Sequence, residues 1–145
     1  MIKKAMFLFG VLLMASAFAY AEEKFSVSGE VYFQHDSDIY MNLVTRETFL
    51  NRLKPLPPPF GMCIKLTPEQ RKAKRVPFEF EGIPKGNYFL LVFQDLNKNE
   101  KLDREIGSPT EPFGTYKTFE FVLQWDNVKF LVDQNITGIK ITIEE

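Results

Sequence analysis

The sequence predicts an all-β protein, a single antiparallel β-sandwich of about seven strands with at most one short helix. Short segments alternate apolar with polar residues, which is the pattern of strands with one buried face. Turn residues separate these segments at regular intervals, as in sandwich folds. Hydrophobic residues make up 45% of the 145 residues, and the 15 Phe supply large core side chains. We see no internal repeat, so we expect one folded domain.

Residues 1–21 are predicted to be a signal peptide, which leaves 22–145 as the β-sandwich domain. Two lysines precede an uncharged apolar run, and Ala19-Tyr20-Ala21 fits the small-x-small pattern of a cleavage site. The alternative is a membrane-anchoring helix, but the 17 residues from Ala5 to Ala21 are at the short end of a membrane span. We therefore expect an exported protein, periplasmic or secreted, with no stable membrane insertion after cleavage.

Charge and residue counts exclude several classes of function. Cleavage removes two lysines and no acid, so the net charge falls from −1 to −3, and a mildly acidic surface does not attract nucleic acid. One His and one Cys exclude most metal-binding and nucleophilic schemes. Cys63 cannot pair within the chain. We predict that it is a buried small hydrophobe, and the alternatives are an intermolecular bridge or a reactive thiol.

The N-terminal part of the domain predicts two strands. Apolar and polar residues alternate over 25–33, and a second apolar run of strand length covers 39–44. The polar turn at 35–38 separates the two runs, which favours an antiparallel hairpin.

A short helix follows the second strand. Thr45 and Glu47 are typical of a helix start, and three apolar residues after them would share one face of the helix, namely Phe49, Leu50 and Leu53. We therefore place the one helix of the prediction here, ending before Pro55.

The segment 54–75 begins with a proline run that must be extended and is longer than expected, so it is a candidate interaction surface. A third strand is predicted at 62–66. The basic cluster within the charged connection 67–75 is predicted to be a solvated turn rather than a polyanion site, because no aromatic residues interleave with the charges.

The central and C-terminal segments complete the sheets. Alternation over 76–80 predicts a fourth strand, and the uniformly apolar run 88–93 predicts a strand buried on both faces at the centre of a sheet. A long loop follows from residue 95 to about 113, and loops of this length are commonly functional. Three further strands are predicted at 119–123, 128–132 and 136–143.

The long loop has the ligand spacing of a calcium loop. Asp95, Asn97, Asn99 and Asp103 stand at positions 1, 3, 5 and 9 of an Asp-x-Asn-x-Asn-x-x-x-Asp array. Alternate oxygens of this kind suit Ca²⁺, a hard cation that takes six to eight oxygen ligands. The remaining predicted ligands are the Lys101 carbonyl and the carboxylates of Glu105 and Glu111.

Two positions depart from the calcium-loop pattern. Glu100 stands where a Gly normally makes the sharp turn, and Ile106 where a bidentate Glu is expected. In the alternative interpretation the Asp and Asn side chains cap backbone groups in Asx-turns with no ion. Residues 95–111 carry five acids and three bases, a net charge of −2 that a cation would offset.

A binding or structural module is the favoured class of function. Phe113, Tyr116 and Trp125 follow the loop and could form a platform for a sugar or peptide, the alternative being core packing. An edge strand could also accept a partner's extended segment. No catalytic constellation is evident around His35, so we expect no enzyme activity. A small hydrolase that uses carboxylates is the remaining alternative.

Three motifs resemble the signature of a family of exported bacterial proteins known only as a domain of unknown function. They lie at 82–88, 92–103 and 107–114, and match a Pro-x-Gly-x-Tyr turn, a Phe-x-Asp-x-Asn-x-Asn loop and a Gly-x-Pro-x-Glu segment. The resemblance implies a transthyretin-like or immunoglobulin-like sandwich and places five residues at the family's polar-loop positions, Asp95, Asn97, Asn99, Asp103 and Glu111. It brings no established activity. Glu100 departs from the family's Gly.

Overall fold

The computed structural model describes residues 20–51, 59–106 and 108–145. Almost all of the predicted signal peptide lies outside these residues, and so do Leu53 and most of the proline run at 56–60. The described chain is built mainly of strands in two sheets, which confirms the predicted all-β sandwich class.

Ten strands and three short helices form the described part of the chain. The strands are β1 Lys24–Tyr32, β2 Ile39–Val44, β3 Phe60–Ile64, β4 Arg75–Pro84, β5 Gly86–Gln94, β6 Arg104–Glu105, β7 Ser108–Pro109, β8 Phe113–Thr115, β9 Phe130–Val132 and β10 Ile136–Thr142. The helices are α1 Arg46–Leu50, α2 Pro68–Ala73 and α3 Trp125–Val128.

The strands form two main sheets that pack face to face. The first has the order β10-β1-β4, and the second has the order β3-β2-β5-β8 with β9 also paired to β5. All pairs are antiparallel except β1 with β10, which is parallel. The small β6-β7 ladder lies within the long polar loop.

The predicted hairpin of β1 with β2 is wrong. β1 pairs with β4 and β10, whereas β2 pairs with β3 and β5, so the turn at 35–38 carries the chain from one sheet to the other. The physical reason is that two half-buried strands can bury their apolar sides side by side in one sheet or face to face across the core. A polar turn is compatible with both arrangements.

Alternation along the strands builds one main core. Val27 and Val31 of β1 face Met41 and Leu43 of β2, and all four belong to the same buried cluster. Strand β5 is buried on both faces, as predicted, because its other side packs into a second cluster around Trp125.

One side of the sandwich is closed by the C-terminal residues. Phe113 and Glu144 exchange two backbone hydrogen bonds of 3.0 Å, and the Ile143 amide donates to the Tyr32 carbonyl at 2.8 Å. These contacts link β8 of the second sheet to the end of β10 in the first. Among the described residues, β3 and β4 pair on one side only and are the sheet edges at the other side.

The helix content is higher than the predicted maximum of one. Helix α2 occupies the segment predicted to be a turn, and it has a complete capping box in which Thr67 accepts from the Gln70 amide and Gln70 accepts from the Thr67 amide. Pro68 at the first helical position completes this start signal. Helix α3 is a single turn directly before β9.

Two further predictions are wrong: that Cys63 is buried, and that residues 119–123 form a strand. Cys63 is exposed, because β3 turns Phe60, Met62 and Ile64 inward and leaves odd positions outside. Residues 119–123 alternate but form no strand, because the edge of β5 that they would pair with is already taken by β8 and β9.

Candidate functional site

The polar loop begins directly after the C-terminal end of the central strand β5. Gln94, the last residue of β5, is fully buried, and its side-chain amide donates to the carbonyls of His35 at 2.7 Å and Ser37 at 2.9 Å. The His35 amide donates back to Gln94 Oε1 at 3.3 Å. Gln94 therefore fixes the 35–38 turn against the start of the loop.

Sequence reasoning missed Gln94, although a signal was present. Alternate residues of a strand share one face, and Tyr88, Leu90 and Val92 of β5 all belong to the main core. Gln94 continues that parity, so its polar side chain points inward and must find buried partners.

The buried carboxylate of Asp95 shapes the first turn of the loop. Asp95 is only 4% exposed, and its two oxygens accept from the amides of Asn99 at 3.1 Å and Glu100 at 2.7 Å. Glu100 has a φ of 63°, in the left-handed region where a Gly is most easily accommodated. The loop therefore makes its sharp turn with Glu100 in place of Gly, and the left-handed conformation of Glu100 costs conformational free energy.

Asn97, Asn99 and Asp103 bring their side chains together. The Asn99 amide group donates to both oxygens of Asp103 at 2.9 and 2.8 Å, and the Asn97 amide group donates to Asp103 Oδ2. The amide oxygens of Asn97 and Asn99 accept from the backbone of Asn99 at 3.1 Å and Lys101 at 3.0 Å. We call these three side chains the Asn-Asp cluster.

Glu111 ties the two ends of the loop together. It is 7% exposed, and its oxygens accept from the Leu96 amide at 2.9 Å and the Asp103 amide at 3.2 Å. Four of the predicted ligands therefore lie within one hydrogen-bonded network with Glu111. Glu105 does not join this network, because its exposed side chain lies on β6 and makes no hydrogen bond to the cluster in the described part of the chain.

The network has the donor chemistry of a hard-cation site but few charged ligands. In the described ranges, no group of three or more His, Cys, Asp or Glu side chains is arranged to hold a metal ion. The exposed Asn-Asp cluster contributes one carboxylate and two amides. The carboxylates of Asp95 and Glu111 instead hold backbone amides, which is the Asx-turn arrangement that the sequence left open.

Of the three aromatic residues predicted as a platform, Trp125 and Tyr116 pack against other aromatic rings. Trp125 is 8% exposed and packs against Phe49 with ring centroids 5.5 Å apart. Tyr116 meets Phe130 edge to face at 5.0 Å, against the main core. Phe113 is half-buried on β8.

The turn at 35–38 carries two ion pairs and one contact between an imidazole and a carboxylate. His35 Nε2 lies 2.9 Å from Glu145 Oε1, Asp36 pairs with Lys74 at 2.6 Å, and Asp38 lies 3.6 Å from Arg71. The hydrogen bond and charge of Lys74 lower the pKa of the Asp36 carboxyl below its usual value. The two acids of this turn therefore already have cationic partners, and the imidazole already has a carboxylate partner.

Comparison with known proteins places this β-sandwich and its polar loop in a known class of bacterial domains. The chain belongs to the family described as "Uncharacterized protein conserved in bacteria (DUF2141)", whose profile matches residues 34–140. This confirms the family predicted from the three motifs. No curated protein and no solved structure matches the chain, so the choice between a transthyretin-like and an immunoglobulin-like sandwich stays a prediction.

The matched range begins just after β1 and runs through most of β10, and it includes the whole polar loop. Within the described residues, no helix has the length and apolarity needed to cross a membrane.

Proposed function

We propose that this protein is an exported, non-catalytic binding or structural module whose loop 95–111 binds Ca²⁺ and is stabilised by it. The observation that carries this proposal is the convergence of Asn97, Asn99 and Asp103 at the surface above the buried carboxylates of Asp95 and Glu111. The expected binding class is a weak extracellular-type site, with a Kd of about 10⁻⁴–10⁻³ M, because few carboxylates face the ion.

The loop is organised in advance of ion binding. The Asp95 and Glu111 carboxylates already hold four backbone amides, so little backbone has to be ordered when an ion arrives. The side-chain amides of Asn97 and Asn99 would have to rotate, so that their oxygens and not their NH₂ groups face an ion bound at the Asp103 carboxylate. That rotation replaces amide donors with a cation as the partner of Asp103, and it relieves part of the loop's net charge of −2. Mg²⁺ is disfavoured, because it demands near-ideal octahedral geometry.

Export and the absence of catalysis are supported by the sequence and by the surroundings of the titratable groups. Residues 1–21 have the composition of a signal peptide. The His35 ring pairs with Glu145, and its neighbouring acids pair with Lys74 and Arg71. The partner of the module is a protein, peptide or glycan whose identity the proposal leaves open.

Thermal unfolding titrated with CaCl₂ and then with excess chelator tests the ion site. A ligand that binds only the native state raises its stability, by about 2.7 kcal/mol at a hundredfold excess over Kd. We expect a rise in Tm with Ca²⁺ that the chelator reverses and that MgCl₂ does not reproduce. Asp103→Asn should abolish the response, and the exposed Glu81→Gln on β4 is the matched control. A Tm that does not change when Ca²⁺ reaches a hundredfold excess over the expected Kd overturns the ion site.

Export is tested separately in a bacterium with a periplasm. The intact mass of the mature protein should correspond to a chain that begins at Glu22, and the protein should be recovered outside the cytoplasm. A full-length mass in the cytoplasmic fraction contradicts export without bearing on the ion site.

A further inference from the structure

We draw no further inference here: the strongest candidate, the groove that Phe89, Leu91 and Phe113 line on the face of β5 turned away from the main core, carries none, because nothing in the described part of the chain shows what covers it.

Discussion

Gly114 occupies a position where a single methyl group decides whether the two sheets can meet. A Cβ at this residue would lie 2.4 Å from the carbonyl oxygen of Thr142 and 2.9 Å from an Ile141 side-chain carbon. Both contacts are far inside van der Waals distance, and one of them is backbone that cannot rotate away. The close approach of β8 to β10 therefore requires glycine.

Replacing Gly114 by Ala is expected to lower the free energy of unfolding by about 1–3 kcal/mol, the usual cost of overpacking. Urea denaturation of the two proteins measures the difference. Gly86→Ala is the matched control, because the nearest atom that its Cβ would meet belongs to the Tyr88 ring, at an ordinary 3.5 Å. Equal losses in the two variants would show that the effect is general to strand glycines.

The phenol of Tyr40 is a weaker acid in the folded protein than an ordinary tyrosine, because its pKa is raised. A side-chain hydrogen bond with Cys63, together with burial and the charge of the Cys63 thiolate, raises the pKa of Tyr40 from 10.0 to about 12. The protonated phenol is therefore favoured by the folded state. Its contribution to stability is complete below pH 10 and is lost as the pH rises from 10 to about 12.

Cys63→Ala is expected to move the ionisation midpoint of Tyr40 down from about 12 toward 10, because the main cause of the shift is removed. Ultraviolet absorbance of the phenolate follows the titration, and Tyr40→Phe identifies which step belongs to Tyr40. Tyr116→Phe is the control and must leave that step in place. An unchanged midpoint in Cys63→Ala would assign the shift to burial instead.

At the scale of elements, the polar loop depends on Glu111 more than on any residue that faces solvent. Its buried carboxylate holds the Leu96 and Asp103 amides, which lie at opposite ends of the first ten residues of the loop. Glu105 lies in the same loop but is exposed on β6. Both residues are glutamates, but only the Glu111 carboxylate accepts hydrogen bonds from these two loop amides.

Glu111→Ala is expected to raise the hydrogen-exchange rates of the Leu96 and Asp103 amides by about tenfold or more, because each loses its acceptor. Exchange followed by NMR reports these two amides individually. Glu105→Ala should leave both rates unchanged. Uniform acceleration across β5 would instead indicate global destabilisation, and that result would contradict a local role.

Local sequence predicts some of the strands and helices correctly and others not. The predicted bounds of β2 match the observed strand, and β5 is a doubly buried central strand as predicted, because each segment is a mostly apolar run of strand length. Helix α2 has a local start signal in its capping box, but the basic cluster in the same segment favours a solvated turn, so the sequence analysis predicts no helix there. The segment 119–123 was predicted as a strand because alternation says nothing about whether a neighbouring edge is available.

For the whole molecule, the closure between the sheets depends on backbone atoms of the last residues. Glu144 both donates to and accepts from Phe113 at 3.0 Å, while its side chain is exposed. The adjacent Ile143 is buried in the main core. A change of the Glu144 side chain should therefore leave stability unchanged, whereas loss of its backbone N–H should break the contact between β8 and the end of β10.

Glu144→Pro is expected to lower the free energy of unfolding by about 1–3 kcal/mol, because it removes one donor of the bridge and leaves the Phe113 carbonyl without its partner. Glu144→Ala keeps the amide and should match the native protein within about 0.5 kcal/mol. Thermal unfolding of the pair separates the two cases. A loss of stability in both variants would place the contribution in the side chain.

The sequence by itself determined the fold class, the family, the central strand and the polar residues of the loop. These follow from period-2 patterns and from motifs within a few residues, both of which are local properties. The tertiary structure alone decided that β1 and β2 lie in different sheets, that Cys63 faces solvent, and that Trp125 packs inside. It also decided that the Asp95 and Glu111 carboxylates hold backbone amides. These outcomes depend on which distant strands compete for the same edge and which atoms meet across the core, and no local pattern encodes that choice.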